Sequence, residues 1–100
     1  MNKISNISIP ANRFKAMLQM IPRAPESIST ERILERLSAG GFEVDLRTVQ
    51  RNLKDLVESG EFGLASEKKG RESARWHYLA DAPMMIFPSL DDHTALAFRL

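Results

Sequence analysis

The chain contains no cysteine. Disulfide bridges, zinc–thiolate centres and thiol nucleophiles are therefore excluded, and a reducing, cytoplasmic setting is expected. Long apolar runs are also missing. Nothing approaches the about 20 residues of a membrane-spanning helix, and the opening MNKISNISIP lacks the apolar core of a signal peptide. No membrane association is expected. Histidine is scarce: His77 reads as a surface residue, and His93 has no partner at ligand spacing, so no metal site is expected. There is no glycine-rich phosphate loop and no nucleophile–base pair, and Asp91-Asp92 reads as a helix cap rather than as paired catalytic carboxylates. The expectation is a protein that is not an enzyme and needs no cofactor.

What remains is a globular composition, 43% apolar and 27% charged over 100 residues, enough for one domain with an appendage. The net charge of +1 conceals a gradient: 13 Lys/Arg stand against 10 Asp/Glu up to Ala80, and one Arg against three Asp beyond it. The mild basicity lies in the first 80 residues, and its placement matters more than its total.

Residues 1–11 read as a flexible tail. Asn12 is a candidate N-cap for a first helix carrying Phe14, Met17, Leu18 and Ile21 at helical spacing and ending before Pro22; PRAPES then reads as a loop. Ser29 caps a second helix, with Ile28 and Ile33 placed for a hydrophobic staple and Arg32 where a capping box would want Glu or Gln. Ile33, Leu34 and Leu37 face inward, Gly40-Gly41 ends the helix through a left-handed backbone, and Phe42 and Val44 fill the connection. Asp45 caps a third helix closed by Gly60. Its apolar face is Leu46, Val49, Leu53, Leu56 and Val57; Arg47, Arg51, Lys54 and Glu58 lie opposite, flanked by Thr48 and Gln50.

Beyond Gly60 the period changes to two. Two strands are predicted, Phe62 to Glu67 and Ala74 to Leu79, around the polar turn KKGRES. Ala74, Trp76 and Tyr78 share one face, which suits packing on the helices better than base stacking. Three helices and then a hairpin with a basic tip is the order of a winged helix-turn-helix, so residues 12–80 are predicted to form that domain: mainly α with a small β-hairpin. Residues 81–100 form a linker with Pro83 and Pro88, followed by a last helix starting at Ser89 or Asp91 and apolar on almost every side. Such a helix needs burial that one small domain does not supply. Pairing of two copies through Met84, Met85, Ile86, Phe87, Leu90, Leu96, Phe98 and Leu100 is expected, as is a longer protein behind this segment.

A basic helix face is usually a solvated surface, but here it lies between a turn and a basic hairpin. A helix can enter the major groove with its first two turns at the base edges. Arg gives guanine two parallel hydrogen bonds and Gln does the same for adenine. Arg47, Thr48, Gln50 and Arg51 are therefore the predicted base contacts. Ser29, Thr30, Lys54, Lys68, Lys69, Arg71 and Arg75 are the predicted phosphate contacts. The predicted partner is double-stranded DNA. The alternative is a winged-helix module whose Arg/Gln face meets an acidic protein, with no operator.

RTVQRNLKDL resembles the recognition-helix segment of bacterial transcription regulators that carry an N-terminal winged helix-turn-helix and a C-terminal WYL domain. RFKAMLQMIPRAPESISTERILERL is similar to that family's first two helices, GFEVDLRTVQRNLKDL to its turn and third helix, and PSLDDHTALAFRL to its linker helix. The likeness runs from Arg13 to Leu100; the RTVQR segment also resembles regulators of the DeoR type. Asn52 stands where the family commonly has an acidic residue. The resemblance implies a sequence-specific regulator acting as a homodimer on a two-fold operator, with ligand sensing in a C-terminal domain outside these residues.

Overall fold

The structure is a computed structural model that describes residues 9–83. Its elements are α1 (Ala11–Met20), β1 (Ile28–Ser29), α2 (Thr30–Ala39), α3 (Leu46–Ser59), β2 (Leu64–Glu67) and β3 (Arg75–Tyr78). The protein is mainly α with a small antiparallel sheet, in strand order β1-β3-β2.

Local chemistry accounts for most of the boundaries. The Ser29 hydroxyl accepts from the Arg32 N–H at 3.1 Å, and the Asp45 carboxylate accepts from the Thr48 N–H at 2.8 Å. Each satisfies a donor that the first helical turn leaves open. Asn12 is not a cap: α1 begins one residue earlier, behind Pro10, with no side-chain cap bond. At the end of α2 the left-handed residue is Gly41, at φ 91°, while Gly40 stays at φ −84°. Gly60 closes α3.

The predicted hairpin is present but shorter at both strands, and the two-residue β1 was not predicted. Ile28 pairs with Trp76 and Ser29 with Arg75. The PRAPES loop runs on beside β3: the Tyr78 N–H donates to the Pro22 carbonyl and the Ala24 N–H to the Tyr78 carbonyl, each at 2.8 Å. The loop also carries Arg23, whose guanidinium donates to the carbonyls of Leu79 (3.2 Å), Ala80 (3.1 Å) and Ala82 (2.7 Å). Gly63 backs the same turn. It has φ +69°, and a Cβ on it would come within 2.6 Å of the Ala82 Cβ, so backbone angle and space both demand glycine there.

Helices and sheet close on one core. Met17, Ile33, Leu37, Val49, Leu53 and Leu56 have no solvent exposure, and Ile28, Leu64, Trp76 and Tyr78 cover them from the sheet. Phe14 meets Phe62 edge-to-face, with ring centroids 5.6 Å apart. Ile9, inside the predicted tail, is half-buried against this core. Among the described residues no helix is long and apolar enough to cross a membrane.

Candidate nucleic-acid interface

The division of α3 into two faces is strict. Val49, Leu53 and Leu56 lie at 0% exposure, whereas Arg47, Gln50, Arg51 and Lys54 are exposed. None of those four side chains makes a hydrogen bond or ion pair among the described residues. Thr48, on the flank, is half-buried. The predicted base-contact residues thus lie along the first two turns of a helix held from behind by core leucines.

Asp45 sets the start of this helix. Its carboxylate accepts the Thr48 N–H, and that bond, together with the nearby Arg47 and Arg51 charges, holds its carboxyl below the usual carboxylate range. A group with a lowered folded pKa contributes stability above its unfolded pKa and loses it as pH falls through the folded value. The α3 N-terminus should therefore fray on acidification below about 3.9, the ordinary aspartate value. The Thr48 amide, followed by NMR titration, is expected to report this. Asp45→Asn keeps the cap and should abolish the pH dependence; if the Thr48 amide still titrates in that variant, the carboxylate is not its cause.

The phosphate-contact residues divide into three groups. Lys68, Lys69 and Arg71 are exposed on the β2–β3 turn, as predicted for a hairpin tip. Lys69 also lines a recess of about 170 Å³ with Glu67 and Glu72, so that part of the tip has mixed charge. The Ser73 hydroxyl donates to the Glu31 carboxylate, which joins the base of the turn to the first turn of α2 and lowers that carboxyl's pKa. Ser29 is half-buried and serves as the α2 cap.

Thr30 must be removed from the phosphate contacts. It is 1% exposed, its hydroxyl accepts the Trp76 indole N–H at 2.9 Å, and its backbone N–H donates to the Ala74 carbonyl at 3.3 Å. Both of its polar groups are turned into the protein. Arg75 is also displaced from the tip: its Nε donates to the Ser27 hydroxyl at 2.7 Å and an Nη to the Ser27 carbonyl at 2.9 Å. The guanidinium is committed to the loop before β1. Trp76 and Tyr78 are buried in packing, and the Tyr78 hydroxyl, donating to the Leu18 carbonyl, has its pKa raised to about 12 by burial.

Two residues behind the interface escaped sequence reasoning. Asn52 is 3% exposed and its Oδ1 accepts from the Arg13 guanidinium at 3.0 Å, joining α1 to α3. The Arg13 Nε is buried with no partner. The family likeness marked position 52 as unusual; its link to Arg13 had no sequence signal.

Met84, Met85, Ile86, Phe87, Leu90, Leu96, Phe98 and Leu100, the predicted dimerisation residues, lie outside the described residues, as does the predicted linker helix. No family model matches this chain, and comparison with curated proteins finds no match.

Proposed function

We propose that the chain is a sequence-specific duplex DNA-binding module of the winged helix-turn-helix type. It would be the N-terminal part of a bacterial transcription regulator, working as a homodimer on a two-fold operator, with no catalytic role. The observation that carries this reading is α3: an exposed, unpaired Arg47–Gln50–Arg51–Lys54 row on a helix whose reverse side is wholly buried. Two elements support it. A basic hairpin turn follows α3, and a short strand between α1 and α2 completes the sheet, which is the order of a winged helix. In this reading Arg47, Gln50 and Arg51 read base edges, Thr48 touches the rim of the groove, and Lys54, Ser29, Lys68, Lys69 and Arg71 hold phosphates.

The test is selection of duplexes from a random library on the purified chain, followed by footprinting of the enriched sequence. No enrichment and no footprint would leave α3 without its assigned role. With an operator in hand, Arg51→Ala is expected to weaken specific binding by about 1–3 kcal/mol, the worth of a bidentate base contact. Its melting temperature should barely move, because the side chain is exposed. Replacing Lys68, Lys69 and Arg71 together with Ala should weaken binding to every duplex alike and flatten the salt dependence by about 0.9 per lost phosphate contact. A loss confined to the operator would instead give the hairpin a share in base reading.

A further inference from the structure

A cleft of about 480 Å³ opens at the β1 edge of the sheet, between the end of α1 and the outer face of α2. Its charged rim is Arg32, Arg36 and Arg75, against a single carboxylate, Glu26. Met20, Pro22 and Ile28 form an apolar part of the wall. Arg32 is paired with Glu35 and Arg75 is bonded to Ser27, whereas Arg36 makes no ion pair or hydrogen bond among the described residues.

We infer that this cleft is a docking site for an acidic, extended peptide segment of a protein partner. Arg32 and Arg36 are four residues apart on one helix, so their Cβ atoms lie about 5–6 Å from one another. Side chains on one face of an extended peptide recur every about 6.6 Å, since each residue rises about 3.3 Å. Alternate carboxylates of such a segment thus match successive guanidiniums, and a guanidinium holds a carboxylate through two parallel hydrogen bonds. The apolar wall offers burial to the methylene stems between them. The volume lies within the about 300–1,000 Å³ of ordinary binding clefts. Neither α3 nor the β2–β3 turn contributes a residue to the cleft, and α3 meets the sheet at β2, the opposite edge. The site is therefore separate from the proposed base-reading row and does not depend on the DNA reading.

The test uses the whole chain and a short fluorescein-labelled peptide of alternating glutamate and alanine, with binding followed by anisotropy and mapped by amide shifts. The peptide should shift amides between Ser27 and Arg36 rather than those of α3. Arg32→Ala/Arg36→Ala should weaken peptide binding about tenfold, the effect of losing a charge-assisted contact. Both positions are exposed on a helix and alanine is the best helix former, so the fold should hold. Arg47→Ala/Arg51→Ala should leave peptide binding unchanged. Absence of peptide binding, indifference to the Arg32/Arg36 pair, or shifts centred on α3 would overturn the proposal. So would a parallel loss of duplex binding in the Arg32/Arg36 variant, which would make the cleft a seat for DNA phosphates.

Discussion

Replacing Trp76 with alanine is expected to cost about 3–5 kcal/mol of folding stability, the usual range for emptying a large aromatic site. Small domains have only about 5–15 kcal/mol in total. The indole is 6% exposed, sits opposite Ile28 in the sheet, and donates its N–H to Thr30 at the first residue of α2. One side chain thus fastens β1, β3 and the start of α2 together. Trp76→Phe keeps most of the packing and loses the donor. The Thr30 hydroxyl still has the Ala74 carbonyl at 3.4 Å, so the loss should be much smaller. Urea unfolding followed by far-UV circular dichroism is the measurement, because Trp76 is the only tryptophan and fluorescence would vanish with it. An alanine variant with the wild-type midpoint and slope would show that the indole is not a structural fastener.

The second large effect is expected at Asn52. Asn52→Leu removes the acceptor from a part-buried guanidinium whose Nε is already unpartnered, and should cost about 3 kcal/mol, the upper end for a stranded donor because this one is charged. Asn52→Asp should do the opposite by placing a counter-charge against Arg13. The introduced carboxyl would have its folded pKa lowered by that pairing. The gain is then present above about 3.9, the unfolded aspartate value, and disappears as pH falls through the folded one. Combining Arg13→Met with Asn52→Leu should recover much of the loss, since neither partner is left stranded. Chemical denaturation of the four variants near neutral and acid pH forms the cycle that measures the coupling. Additive effects of Arg13→Met and Asn52→Leu would mean that the α1–α3 bond contributes nothing of its own.

These two bonds also mark where the sequence stops being readable. The period of α3, its Asp45 and Gly60 ends, and the alternation around Trp76 are local signals, and each corresponds to an element in the structure. β1 had no such signal: two residues are too few to show a period, and Ile28-Ser29 is a strand only because Trp76 and Arg75 lie beside it. Thr30 and Asn52 are polar, and polar residues are read as surface. Their burial rests on partners 46 and 39 residues away, which no window of the sequence contains. Thr30 thus stood among the predicted phosphate contacts because helix starts commonly serve that role, until the structure turned it inward. The exposed α3 row was legible for the opposite reason: exposure needs no distant partner.

The turn after β3 has a mechanical consequence. Arg23 grips the carbonyls of Leu79, Ala80 and Ala82 on one side, and Gly63 lies against Ala82 on the other. Pro83 therefore leaves the globule from a clamped end and not from a pin joint. A clamped end passes on torque. Any twist applied beyond Pro83 is delivered through the guanidinium to the stretch between α1 and β1, and β1 runs straight into the cap of α2. The same three hydrogen bonds that finish the fold give it a rigid mount, so that rotation outside the globule becomes rotation of the whole globule.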